Sequence, residues 1–128
     1  MIKLFTSYFG RFRFEEEVQE FGVTITSYCP YWWEGKHYEK LSPPWILVQE
    51  LKEGLITEEE YEEEYNKILA ELDPKEVAEE LGNGAIMICY CGKDKFCHRH
   101  LVAKWLQEAE ISCIELTTAD EYFKEMKE

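Results

Sequence analysis

AIMICYCGKDKFCHRHLVAKWL, Ala85 to Leu106, is the stretch from which the rest of the chain can be ordered. Ala85 to Tyr90 is a short apolar run preceded by Gly82 and Gly84, which suits an interior parallel strand better than a helix. Gly92, Lys93 and Asp94 then supply turn chemistry. From Cys97 onward, Leu101, Val102, Trp105 and Leu106 recur at helical spacing, so a helix with one apolar face begins there. Three cysteines, two histidines and one arginine are thereby gathered where a strand turns into a helix. The first turn of a helix presents unpaired amide N–H groups and the positive end of its dipole. Lys93, Lys95, Arg99 and Lys104 outnumber Asp94, and the segment is locally basic. An anion is favoured at such a place.

Outward from this unit the pattern repeats. Ile2 to Tyr8 is rich in β-formers and reads as the first strand. Phe14, Val18 and Phe21 are spaced to cover a sheet while Glu15 to Glu17 face water, and Val23 to Tyr28 reads as the second strand. Pro44 to Gly54 forms an amphipathic helix. Thr57 with Glu60 makes a capping box for another, with Tyr61, Tyr65, Ile68, Leu69 and Leu72 facing inward to about Leu72. Pro74 to Leu81 is a short helix, Ile111 to Leu116 a last strand, and Thr118 with Glu121 caps a final helix. Strands alternating with helices predict a single-domain α/β layered sandwich over residues 1–128, with a mainly parallel sheet of about four strands and flanking helices. Ligands of such sheets sit beyond the carboxyl ends of the strands. Those ends carry Tyr8, Ser27 and the Cys91 to His100 turn.

Between the second strand and the first long helix, CPYWWEGKHYEKLSPPW (Cys29 to Trp45) is crowded with aromatics and prolines. A loop this long is either packed on the core or is a lid. In the second case Trp33, with Trp32, His37 or Tyr38, stacks on a flat ligand.

The chain has 128 residues and is 45% hydrophobic, enough for one core. Its 14 basic and 27 acidic residues, net −13, argue against non-specific binding to nucleic acid or to an anionic membrane. Thr57 to Glu80 holds 11 of the acids against 2 basic residues, so a basic crevice elsewhere is compatible with the total. That acidic stretch reads as a solvated helix face and as a surface for a basic protein partner. No apolar run is long enough to span a bilayer. The 5 cysteines form no spaced framework, which fits free thiols in a cytoplasmic setting.

ICYCGKDKFCHRHLVAKWL resembles the signature of domain-of-unknown-function family 488: a strand, a cysteine, a short charged loop, then Cys-His-Arg opening an amphipathic helix. KLFTSYF, PYWWEGKHYEKLSPPW and GLITEEEYEEEYNKIL are similar to further pieces of that family in the same order. The resemblance implies an α/β domain and supplies no established reaction. It places the signature on Cys91, Cys97, His98 and Arg99. Where members of that family often carry an arginine just before the loop's proline, this chain has Ser27, Tyr28 and Cys29.

Three readings of the turn follow. In the first, the chain acts on or binds a small anionic ligand, nucleotide-like or phosphorylated. Arg99 and the helix amides hold the anion, Cys97 or Cys91 is the nucleophile, His98 or His100 the acid or base, and Tyr8, Ser27 and Trp33 line the ligand. No cofactor is predicted in this reading. In the second, Cys89, Cys91, Cys97 and His100 close around zinc. In the third, the turn is structural, and Arg99 pairs with a carboxylate in a non-catalytic interaction module.

Overall fold

The computed structural model describes residues 2–90 and 96–127. Its sheet has five strands, β1 (Lys3–Tyr8), β2 (Gly22–Thr24), β3 (Lys36–His37), β4 (Ile86–Cys89) and β5 (Ser112–Glu115), in the order β3-β2-β4-β1-β5. Every pairing is parallel, with Tyr8 beside Cys89 and Thr6 beside Glu115. The period-2 alternation of a strand decides which side chains go to which face. Leu4, Met87 and Cys113 enter one core with Tyr61, Tyr65, Leu69, Val102 and Leu106. Phe5, Ile86 and Ile88 enter the other with Phe9, Phe12, Val18 and Tyr122. The result is a three-layer α/β/α sandwich.

The first face is covered by α2 (Trp45–Lys52), α3 (Glu58–Ala70), α4 (Pro74–Leu81) and α5 (His98–Glu108), the second by α1 (Phe9–Phe12) and α6 (Ala119–Lys127). The start of α3 is fixed by the expected capping box: Thr57 Oγ1 accepts from the Glu60 amide at 3.1 Å, and Glu60 Oε1 accepts from the Thr57 amide at 3.0 Å. At the entrance to β4, Gly84 has φ 90°, and a Cβ there would lie 2.7 Å from the Tyr122 hydroxyl. That hydroxyl donates to the Gly84 carbonyl at 2.7 Å, so α6 sits against backbone that only glycine leaves open.

Several boundaries differ from expectation. The sheet has five strands because the aromatic loop contributes β3, two residues long, whose Lys36 and His37 lie beside Val23 and Thr24. β2 ends at Thr24 rather than Tyr28. Beyond the Ile25 amide, which still donates to Ile88 at 3.0 Å, the Thr26 hydroxyl turns to the Tyr28 carbonyl and Ser27 Oγ donates to the Pro43 carbonyl at 2.7 Å. Phe14 is 71% exposed, against the expectation that it covers the sheet. The chain turns there between α1 and a 3-10 turn, and Phe9 and Phe12 do the covering. Nor does Glu15 simply face water: its carboxylate accepts from the Ala119 amide at 3.1 Å, at the start of α6.

One feature of the topology positions the site. β1 and β4 are neighbours, yet α1, which follows β1, packs on one face of the sheet and α5, the helix after β4, on the other. Where the helices that follow neighbouring strands lie on opposite faces of a sheet, the carboxyl ends of those strands are the place for a crevice.

Candidate functional site

A cleft of about 370 Å³ lies on the α5 side of the sheet. Its walls are largely aromatic, from Tyr28, Trp45, Tyr61, Tyr90 and Phe96. At its inner end are Cys89, Cys97 and His98, with Thr26 and Ser27 across from them and Lys52 on α2. A few polar groups converging in an apolar cavity of this size fit a small-molecule pocket.

Cys97 is the N-cap of α5, with extended backbone (φ −156°, ψ 143°) and no side-chain capping bond. That position usually holds a Ser, Thr, Asp or Asn whose oxygen accepts from the first turn. The sulfur instead lies 2.7 Å from Cys89 Sγ and 3.8 Å from His98 Nδ1. His98 is 6% exposed and its Nε2 contacts the Ile25 carbonyl at 2.6 Å. A carbonyl oxygen only accepts, so Nε2 carries the hydrogen, and in the neutral ring Nδ1 is left with a lone pair on the side of the Cys97 sulfur. The Tyr65 ring stands edge-on to the imidazole, centroids 5.3 Å apart, and its hydroxyl donates to the Leu41 carbonyl at 2.5 Å. The imidazole is thus held at one nitrogen by backbone and on one side by a buried aromatic.

Arg99 is fully buried. Its Nε and Nη2 donate to the two oxygens of Glu115 at 3.1 and 3.0 Å, and Nη1 donates to Cys89 Sγ at 3.0 Å. The Tyr8 ring carries this guanidinium 5.1 Å from its centroid and that of Arg11 at 5.3 Å. Glu115 Oε1 also accepts from Thr6 Oγ1 at 2.6 Å. Burial works against the Arg99 charge, and the Glu115 carboxylate with the neighbouring sulfurs more than offsets it, leaving the group above its already high ordinary pKa.

The sequence-derived candidates divide accordingly. Cys97, His98 and Ser27 line the cleft, while Arg99 and Tyr8 lie behind the thiols at the β1–β4 crevice. His100 is exposed on the outer side of the first turn of α5. Trp33 packs on the opposite face, its ring 5.8 Å from Phe9 and 6.2 Å from Phe12, with Nε1 donating to the Lys36 carbonyl at 3.1 Å. His37 faces the β2 edge, Nδ1 2.7 Å from Thr24 Oγ1 and Nε2 3.2 Å from Ser42 Oγ. Cys91, and with it part of the zinc reading, lies outside the described residues. Among the described residues no cluster of three or more His, Cys, Asp or Glu side chains could hold a metal, and no helix is long and apolar enough to cross a membrane.

Cys89 entered the sequence reading only as a zinc ligand, and three participants were missed: the Ile25 carbonyl, Tyr65 as the wall of His98, and Glu115. The last left a signal. Glu115 falls on the same strand face as Cys113, toward α5, and an inward-facing carboxylate needs a cation.

Burial governs several other groups. It pushes the Cys113 thiol from 9.0 up to about 12, helped by Glu115, and the Tyr122 phenol from 10.0 to about 12, helped by Glu20; Tyr65 is pushed well above its ordinary value. Above pH 9 the unfolded chain releases protons that the folded chain keeps, so the folded state loses stability as pH rises from the ordinary values toward the raised ones. Urea titrations at intervals from about pH 8 to pH 11 should show an unfolding free energy that is level at first and falls steadily above about 9. A level curve throughout contradicts this account.

Comparison with known families agrees with the signature. No curated protein and no solved structure matches the chain. Residues 16–110 match the family model DUF488-N3a, described as the active DUF488-N3 subclade, and the match takes in the aromatic loop, α3, β4 and the Cys-His-Arg turn. With most of its length inside that match, the chain belongs to the DUF488 family.

Proposed function

We propose that the chain is a thiol-dependent enzyme acting on a small anionic molecule with a flat ring, nucleotide-like or phosphorylated. The observation that carries this is the arrangement around His98: Nε2 fixed on the Ile25 carbonyl at 2.6 Å, and Nδ1 toward the Cys97 sulfur at 3.8 Å in a ligand-sized cleft. Nucleophile, base and a group that orients the base are the recurring parts of covalent catalysis. His98 Nδ1 takes the Cys97 proton, the sulfur bonds to an electrophilic centre of the ligand, and the departing group leaves with the proton that His98 returns. The apolar rings of Tyr28, Trp45 and Tyr61 suit a planar group. An anionic group is favoured at the amino end of α5, with Lys52 on the facing wall. Arg99 acts on the thiols in this reading, its buried guanidinium donating to Glu115 and to Cys89 Sγ.

The test is site-resolved alkylation. Iodoacetamide labelling followed by peptide mapping should find Cys97, on the cleft, reacting far faster than Cys113, which is off it and held protonated by burial, with His98→Gln slowing Cys97 by about 100-fold. Nucleotides or sugar phosphates that raise the melting temperature should also protect Cys97. Equal Cys97 rates in wild type and H98Q, with no compound protecting, would reject the reading.

A further inference from the structure

Outside the nucleophile and its base, the feature the mechanism leaves unused is the second sulfur. Cys89 closes β4 with its side chain on the α5 face, and its Sγ lies 2.7 Å from that of Cys97. A disulfide has a sulfur separation of about 2.05 Å, so well under an ångström of approach joins the pair. Both residues are on the lining of the cleft, each nearly closed off (Cys89 1% and Cys97 3% exposed), so a peroxide meets them only by entering the cleft. Arg99 Nη1 donates to Cys89 Sγ at 3.0 Å, a contact that steadies negative charge on this sulfur. Thiol–disulfide chemistry runs through a thiolate, so the guanidinium favours Cys89 as the attacking partner. Cys113, the third buried thiol among the described residues, has no such neighbour and is held protonated by burial.

We propose that Cys89 is the resolving thiol of Cys97, making the site a redox centre that hydroperoxides switch off through an intramolecular Cys89–Cys97 disulfide. The choice of Cys97 as the sulfur oxidised first rests on the nucleophile reading above; the pairing itself does not. The Cys97 thiolate attacks one oxygen of hydrogen peroxide, the O–O bond breaks, and the hydroxide that leaves takes the proton held on His98 to become water. Cys97 is then a sulfenic acid. Cys89 sulfur attacks the Cys97 sulfur, the S–OH bond breaks, and the hydroxyl leaves as water with the Cys89 proton. Two thiols have lost two electrons and one peroxide has become two waters. A small dithiol reverses the step by exchange, regenerating both thiols and leaving as its own cyclic disulfide. While the bridge stands, Cys97 cannot act as a nucleophile.

The experiment uses the full chain treated with one equivalent of hydrogen peroxide, then digested without reduction. The expected result is a loss of mass equal to two hydrogens, a single dominant cross-linked peptide joining residues 89 and 97, and recovery of both thiols with dithiothreitol. Cys89→Ser, with its fold checked by circular dichroism, should give no such peptide. In that variant Cys97 should be trapped by dimedone as the sulfenic acid and proceed to higher oxides. Peroxide treatment in urea should lose the preference for this pair, since the geometry is then gone. A link from Cys97 to Cys91 or Cys29, or no link while Cys97 is oxidised, overturns the inference and leaves the nucleophile reading standing. A clean 89–97 link on a chain whose Cys97 alkylates no faster in wild type than in H98Q does the opposite: the pair is confirmed and the catalytic reading fails.

Discussion

Glu115→Ala is expected to lower the free energy of unfolding by about 3–4 kcal/mol, the range found when one partner of a buried ion pair is removed. The guanidinium of Arg99 has no exposure and the Glu115 side chain is 29% exposed, so the substitution takes the carboxylate from a buried charge that water reaches only through the space Glu115 leaves. It also deprives Thr6 Oγ1 of the oxygen it donates to at 2.6 Å. Most of the loss reflects the stranded charge and not the worth of the pair. Arg99→Met with Glu115→Leu should therefore recover much of it, to within about 1–2 kcal/mol of wild type, because two charges and their desolvation go together. Urea denaturation of the single and double variants completes the cycle. An E115A cost under about 1 kcal/mol would mean that the pair behaves like a surface contact.

Tyr65→Ala should cost about as much, roughly 3–5 kcal/mol, as other buried aromatic truncations do. Tyr65 is fully buried, stacked on Tyr61 with centroids 6.3 Å apart, and its hydroxyl satisfies the Leu41 carbonyl. Tyr65→Phe isolates the hydroxyl and should cost about 1–2 kcal/mol while keeping the ring. The two variants separate further at the site. His98 rests against this ring, so Y65A frees the imidazole to leave its position beside Cys97, and Cys97 alkylation should slow in the folded variant. Y65F should keep the wild-type rate. Loss of reactivity in both, or in neither, would show that the ring does not position the imidazole.

The layered α/β arrangement was legible because it rests on period. The β-formers of β1, the unbroken apolar run of β4, a capping box at Thr57 and the Gly84 entrance are each local signals, and each appears in the structure near its expected place. Phe14 and β3 were not legible for a common reason. Both depend on where an irregular segment turns, and a turn that ends α1 at Phe12 or brings Lys36 beside Val23 is set by contacts distant in sequence. The site was half legible. The strand-to-helix junction concentrates the reactive types in sequence, so Cys97 and His98 could be named. The partners of His98 and Arg99, namely Ile25, Tyr65 and Glu115, come from three other parts of the chain, and backbone carbonyls such as that of Ile25 carry no mark in the side-chain sequence. Arg99 shows the limit best. From sequence a cation at this helix start leaves both an anionic ligand and a carboxylate partner open, and only the β1–β5 register identifies Glu115 as that carboxylate.

That register has a consequence for how the protein matures. The carboxylate facing Arg99 belongs to the last strand to be synthesised, and the carbonyl orienting His98 lies more than seventy residues upstream of it. Until both flanks have docked on the central strands, the imidazole can rotate and the guanidinium lacks its counterion. Thiol reactivity should accordingly arrive late in folding, and incomplete chains emerging from the ribosome would carry these sulfurs in a dormant form.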